Sequence, residues 1–321
     1  MNAVQKTRSC VIVGAGMTGL SAAGFLKNLG WDVTLIEKGR SAGGRMATHR
    51  GAGAVFDYGA QFITVRDPRF EAAFGQWLKS GWARLWFHEG RHKRYCGTEG
   101  MKGLAAQLAQ QFDCLTSTKV ARIEPADKGW RILTDAGAEM CTRSLVLTAP
   151  APQSLALLGA GSAGLMPDGL LRAMQSISFD PCFAVLVSLA GPSRIPLPGF
   201  VRPRSGPIAF IGDNTQKGIS PSETALTLHA SPAFSRACAD TPREEVIAAL
   251  LEAASPWFGS PVVSAKAHFW KYSQPVGTRH QPCLFTAEPA PLAVAGDAFA
   301  GPRVEGAFLS GLAAARRIAS A

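Results

Sequence analysis

The chain has 321 residues, 47% hydrophobic and 17% charged, enough to bury a core in one large or two moderate domains. Its formal charge of +10 is dispersed and no nucleic-acid-binding motif occurs, so the excess suits an anionic small molecule rather than a nucleic acid. Gly, Pro or charge interrupts every apolar run before the length of a membrane span, which predicts no transmembrane helix and no membrane partner.

Lys6 and Arg8 ahead of an apolar stretch imitate a signal peptide. That stretch, residues 10–13, instead reads as a buried parallel strand, and a cytoplasmic protein is expected. Residues 19–29 carry small and apolar side chains at helical spacing, and 31–36 (WDVTLI) form a second strand, completing a βαβ unit. A helix is predicted over 102–112 and strands over 120–123, 130–134 and 145–148, the last ended by the prolines of APAPQ. Residues 191–207, rich in Pro and Gly, read as a loop or a pair of short edge strands. TPREEVIAALLEAA then reads as a helix with Thr241 at the N-cap, Pro242 at its first position and Glu244 completing a capping box. A strand near 292, then Gly296 and Asp297, then a helix beginning near 304–306 close the chain. The seven cysteines show no CxxC or Cys/His pattern, so mostly buried free thiols and no metal site are expected.

Gly14, Gly16 and Gly19 form GxGxxG between the first strand and its helix. The first allows a tight turn, the second lets the backbone approach a pyrophosphate, and the third lets helix and strand pack closely. The helix N-terminus offers unpaired N–H groups to the phosphates. Glu37, at the end of the second strand, can accept from a ribose diol. NAD and FAD both satisfy this fingerprint.

Two further segments discriminate between them. SAGGRMAT (41–48) and the C-terminal LAVAGDAFAGPRVEGAF resemble the flavin-containing amine oxidase superfamily. The resemblance implies non-covalent FAD. It nominates Gly14, Gly16, Met17, Thr18 and Gly19, then Glu37 and Lys38, then Gly43, Gly44, Arg45 and Met46 as cofactor-binding residues. Further along it nominates Gly59, Ala60 and Gln61, Val120 and Pro150, and finally Gly296 and Asp297 with Val304, Glu305, Gly306 and Ala307. A helix N-terminus beside the flavin pyrimidine would stabilise the negative charge that reduction places there.

FDYGAQFIT (56–64), LVLTAPAPQ (145–153), FIGDNTQKG (210–218), LTLHASPAFS (226–235) and FWKYSQPV (269–276) narrow the resemblance to the renalases within that superfamily. It implies oxidation of 2- or 6-dihydro-NAD(P) to NAD(P)+ by hydride transfer to flavin N5, with O2 reduced to hydrogen peroxide. It also nominates Asn214, His229, Trp270, Gln61 and Phe62 as catalytic, with Phe62 standing where some relatives have Tyr. Such a site needs a flat slot, a dry wall and a few polar groups to fix the ring. Trp270 and Phe62 suit the wall; Asn214 and His229 suit a carboxamide or ribose.

Each of these residues also has a plainer reading: His229 and Trp270 as core, Asn214 as a turn former, Asp57 and Glu305 as loop or capping carboxylates. An amine oxidase, a desaturase or isomerase of a hydrophobic substrate, and a flavin-binding protein without turnover are the rival functions. With only Tyr58, Tyr95 and Tyr272, a paired aromatic cage for an amine is not evident. The fold expected is α/β. A Rossmann-like three-layer FAD domain is built from 1–75, 97–155 and 286–321, and a substrate domain with a mixed or antiparallel sheet from 76–96 and 156–285.

Overall fold

The computed structural model describes residues 8–163, 166–277 and 281–321; Lys6 and the remaining parts of the expected domains lie outside the described residues. The first sheet has six strands in the order Leu284–Thr286, Leu292–Val294, Ser144–Leu147, Ser9–Val13, Asp32–Ile36 and Asp113–Leu115. All neighbours pair in parallel except the first two. Alternation along these short strands feeds two cores. Val11, Val13, Leu145, Leu147 and Val294 point to one face, and Cys10, Ile12, Leu35, Val146 and Ala293 to the other. The first face is covered by Trp130 and Ile132 of a three-stranded antiparallel meander, Val120–Ala126, Gly129–Thr134 and Glu139–Thr142. The second is covered by the helices Met17–Asn28 and Val304–Ala319, giving the three layers expected of a Rossmann-like fold.

The second sheet is antiparallel throughout, in the order Phe200–Val201, Ile208–Asp213, Thr224–Ala230, Phe179–Leu189 and Val262–Pro275. Helix Arg243–Ala254 packs Val246, Leu250 and Ala254 against Phe183, Val185, Val187, Leu226 and Leu228 on one face. On the opposite face Leu186 and Ala225 pack against Ala54 and Phe56 of the hairpin Thr48–Gly51/Ala54–Asp57. That face also carries His229 and His268, which lie either side of Ala184 in the register. This hairpin is one of the elements through which the sheet meets the first domain. No helix among the described residues is long and apolar enough to cross a membrane.

Packing and backbone geometry refine several expectations. Core packing of the first domain continues beyond 155: Leu158, Leu170, Met174 and Ile177 join Trp130, Leu147 and Leu292 in one cluster. The sheet regains the chain at Leu284, before the expected 286, while Trp77 packs with Met17, Leu20 and Val304 and so belongs to the first domain. Pro242, in an extended conformation at φ −51° and ψ 139°, occupies the N-cap in place of Thr241, and no side chain caps this helix. Finally, only Cys10 and Cys96 of the seven free cysteines are fully buried. Within 191–207 the chain forms a loop with a single two-residue edge strand, Phe200–Val201.

Candidate active site

The glycine loop is built by close approach. Gly14 sits at φ +107° and its amide donates to Ile36 O at 2.8 Å, while a Cβ on Gly19 would lie 2.0 Å from Gly14 O. Glu37 fixes the loop from the neighbouring strand: Oε2 accepts from Ala15 N at 3.0 Å and Oε1 from Gly39 N at 2.7 Å. The helix then starts at Met17 without a side-chain cap, leaving the amides of Met17, Thr18 and Gly19 ahead of the first intrahelical bond, Leu20 N to Gly16 O.

The second glycine pair lies against this loop, with Gly43 bridged to Gly16 and its amide bonded to Ala15 O at 2.9 Å. Arg45 reaches across to Asp297 with two parallel bonds of 2.8 and 2.7 Å and also donates to Ser273 O at 2.9 Å. A cleft lined by Arg45, Thr148, Pro150, Phe179, Gly296 and Asp297 runs past this pair. Gly59 and Ala60 are pinned to the GGR segment through Ala60 N and Arg45 O, 2.9 Å apart.

Other nominated cofactor residues take different places. Met46 is buried in the apolar cluster with Met17 and Leu20, and Val120 is buried with its strand paired to Thr134. Lys38 is exposed, its Nζ 3.5 Å from Gln153 Oε1. Glu305 turns back to accept from Arg66 N and Asp67 N at 2.6 and 2.8 Å, so its carboxylate anchors the chain rather than facing a ligand. The Ala307 amide is spent on Arg303 O, which leaves Val304, Glu305 and Gly306 as the open amides of the uncapped last helix.

On the substrate side, two nominated residues converge on one atom. The Tyr58 carbonyl oxygen lies 3.0 Å from His229 Nε2 and 2.9 Å from Trp270 Nε1. A carbonyl only accepts, so His229 carries its proton on Nε2 and leaves Nδ1 as an acceptor. Burial pushes the His229 pKa down to about 4, with the Lys217 charge acting the same way and the Tyr58 bond opposing, so the ring is neutral at neutral pH. Trp270 stacks on Tyr58, ring centroids 5.3 Å apart, and His268 meets both rings edge-on.

Asn214 is corrected as a substrate contact. It is fully buried: Nδ2 donates to Ala225 O and Thr227 Oγ1, and Oδ1 accepts from Asp57 N at 3.1 Å. Its hydrogen bonds hold the hairpin to the sheet. Gln61 is bonded through Nε2 to Asp57 O and Gly59 O at 2.6 and 3.1 Å, which leaves a buried Oε1 without a partner. Phe62 stands between two guanidinium groups, Arg94 at 5.0 Å and Arg202 at 5.9 Å from its centroid.

Sequence reasoning missed Lys217, 1% exposed, whose Nζ donates to Asp57 Oδ2 and to Gln61 O, both at 2.6 Å. The other Asp57 oxygen accepts from Thr48 Oγ1 at 2.6 Å and Met101 N at 2.8 Å. Lys217 lies in a segment matched to the renalases, but nothing local marks one lysine as buried.

The residues fit a flavin dinucleotide. Two helix N-termini lack side-chain caps, a Cβ on Gly296 in the cleft would meet nothing within 4 Å, and one on Gly16 would meet only Gly43 O at 4.0 Å. The orphaned Gln61 Oε1 is a further acceptor on the same loop. Residues 12–77 match the NAD(P)-binding Rossmann-like domain, and 70–319 match the family of flavin containing amine oxidoreductases. Renalase of Mus musculus is 26% identical over 94% of this chain and 96% of its own. An L-amino-acid oxidase of Bothrops pauloensis is 50% identical over 50 residues, only 16% of this chain and 10% of that enzyme. Among solved structures, a putative protoporphyrinogen oxidase from Exiguobacterium (TM-score 0.75, 15% identity) and a putrescine oxidase bound to putrescine (0.74, 16%) each align over 98% of this chain and 99% of theirs, a likeness of fold. The chain therefore belongs to the flavin-containing amine oxidoreductase family, as a renalase-like, FAD-dependent oxidoreductase.

Proposed function

We propose that the protein oxidises isomeric dihydronicotinamide dinucleotides, 2- or 6-dihydro-NAD(P), to NAD(P)+. FAD, when bound, supplies a hydride acceptor at N5 and returns the electrons to O2 as hydrogen peroxide. The observation that carries the reading is the pair of hydrogen bonds that His229 and Trp270 donate to the Tyr58 carbonyl. It fixes two flat side chains and commits the imidazole to a neutral form with one free acceptor, Nδ1.

A dihydropyridine that gives up a hydride becomes an aromatic cation without losing a proton, so its site needs no base. His229, held near pKa 4, is a poor one at neutral pH and a good acceptor for a carboxamide N–H. An amine donor, by contrast, must first shed a proton. The Tyr58 and Trp270 rings are also in contact, which leaves no gap to sandwich an amine between them. The end-to-end match to renalase, against a 50-residue match to an amino-acid oxidase, supports the same choice. Asn214 acts here as a positioning residue that keeps the Asp57–Tyr58 backbone in register with the sheet.

The test is anaerobic stopped-flow of the FAD-loaded protein against 2-, 6- and 4-dihydro-NAD and a panel of amines and amino acids. Bleaching of the oxidised flavin by the 2- or 6-isomers, with peroxide on admitting air, is expected. Bleaching by an amine alone would overturn the reading in favour of amine oxidation, and no bleaching by any donor would overturn it altogether.

A further inference from the structure

The positive charge that is dispersed along the sequence gathers in the fold beside the aromatic wall of the site. Arg202 follows the edge strand Phe200–Val201, and its guanidinium lies 4.9 Å from the Phe200 centroid, 5.7 Å from that of Phe210 and 5.9 Å from that of Phe62. Its Nη1 donates to Glu89 Oε1 at 2.6 Å. The second oxygen of Glu89 is taken by Arg94, through Nε at 2.9 Å and through Nη2. Arg94 is itself locked by Nη1 on Thr64 Oγ1 at 2.7 Å.

One carboxylate therefore serves two guanidinium groups, and the cluster keeps a net positive charge. His92, on the same hairpin, is lowered below its ordinary value by desolvation first and then by the fields of Arg66, Arg91 and Arg94, with Glu89 opposing. Arg94 is the buried half of the pair and Arg202 the open half, with side chains 11% and 42% exposed. Arg202 is thus held in place on one nitrogen, while Nε and Nη2 have no protein partner among the described residues.

The placement selects the ligand. Phe210 stands between Arg202 and His229, with its centroid 6.1 Å from the imidazole, so the guanidinium lies one aromatic ring beyond the nicotinamide-facing wall. In a nicotinamide dinucleotide the diphosphate lies one ribose beyond the ring. We propose that Arg202, steadied by Glu89 and Arg94, is the subsite for the substrate's diphosphate, with Phe62, Phe200 and Phe210 as the apolar floor beneath the intervening sugar. A guanidinium suits this task better than an ammonium, because its planar fork pairs with two phosphate oxygens at once. The inference rests on the dinucleotide reading above, but it does not require turnover to be tested.

The experiment uses the FAD-loaded protein and two probes. ADP, which carries the diphosphate without the nicotinamide, is titrated by calorimetry into wild type, Arg202→Leu and Arg202→Lys. Separately, the concentration dependence of anaerobic flavin reduction is compared for 6-dihydro-NAD and for 6-dihydronicotinamide riboside, which lacks phosphate. ADP binding is expected in wild type and weaker by at least tenfold in Arg202→Leu, with Arg202→Lys recovering only part. The loss of affinity for 6-dihydro-NAD should exceed that for the riboside by a similar factor. Equal ADP binding by wild type and Arg202→Leu, absence of ADP binding in wild type, or equal losses for the two donors would each overturn the subsite. Failure of every dihydronicotinamide to reduce wild type would overturn the proposed function instead, leaving the ADP titration to decide the subsite alone.

Discussion

Lys217→Met tests whether the buried Lys217–Asp57 pair holds the site loop. The two side chains are 1% and 0% exposed, and Lys217 Nζ also lies 4.9 Å from the Trp86 centroid. Methionine is an unbranched apolar replacement that removes the ammonium and with it the cation–π contact to that ring. Asp57 then keeps the Thr48 and Met101 donors but no countercharge, and Gln61 O loses its 2.6 Å donor. Removing one member of a buried ion pair costs about 3–5 kcal/mol, because the remaining charge is stranded away from water. At roughly 2 °C per kcal/mol for a chain of this length, the melting temperature falls by about 6–10 °C. Lys217→Met/Asp57→Leu removes both charges, so its loss should be smaller than the sum of the single losses by about 2 kcal/mol or more. The recovery stays incomplete because Thr48 and Met101 N lose their acceptor. Urea unfolding of the FAD-loaded proteins, followed by circular dichroism with flavin release recorded separately, supplies the four corners of the cycle. A Lys217→Met cost below about 1 kcal/mol, or strict additivity, would refute the argument that the pair carries this part of the fold.

Gly19→Ala places a Cβ 2.0 Å from Gly14 O, which forces the phosphate loop apart; FAD affinity measured by fluorescence quenching should fall at least tenfold, about 1.4 kcal/mol or more. Glu37→Gln keeps one acceptor oxygen and turns the other into an NH2 donor, so Ala15 N or Gly39 N loses its acceptor and the ribose loses the charged one; losing charge-assisted bonds worth about 1.5–3 kcal/mol should raise the FAD dissociation constant about 10- to 100-fold, and an unchanged value would count against the ribose contact. His229 has a folded pKa of about 4 against an ordinary 6.5, so the unfolded chain takes up a proton that the folded chain refuses. Stability should therefore be full above pH 6.5 and fall towards pH 4 by on the order of 3 kcal/mol in all. His229→Phe should flatten that slope in urea titrations, and an unchanged slope would remove His229 as its cause.

What was legible in the sequence is what is local. GxGxxG is read from spacing because its turn, approach and packing all occur within six consecutive residues, and the apolar runs of the parallel strands announce burial on both faces. What was not legible depends on distant partners. Lys217 is buried because Asp57, 160 residues earlier, meets it across the domain junction, and no local pattern distinguishes it from a solvated lysine. Asn214 stood in a matching segment, but the direction of its side chain is set by Asp57 N on one side and Thr227 on the other. The packing of the segment after 155 is hidden for the same reason: Leu170 and Met174 look like any amphipathic pair until the first sheet supplies their partners. Thr241 lost the cap to a neighbour, since Pro242 itself adopts the extended conformation from which a helix starts.

The junction itself shows how the Asp57–Gln61 loop is tied to the second sheet. Asp57 and Tyr58 are held by the substrate sheet through their backbones: Asp57 N donates to Asn214, Asp57 O accepts from Thr227 Oγ1 at 2.9 Å, and Tyr58 O accepts from His229 and Trp270. Gln61, the next turn of the same loop, bonds the Asp57 carbonyl from within. Side chains of the sheet are therefore keyed to the main chain of the loop, residue by residue, beside the buried Lys217–Asp57 pair, so the spacing between the loop and the sheet is fixed at several points. None of these donors ionises near neutral pH, His229 included, because burial has already fixed its neutral form. A wall whose donors do not ionise near neutral pH keeps its hydrogen bonds across the physiological range, as the proposed hydride transfer requires.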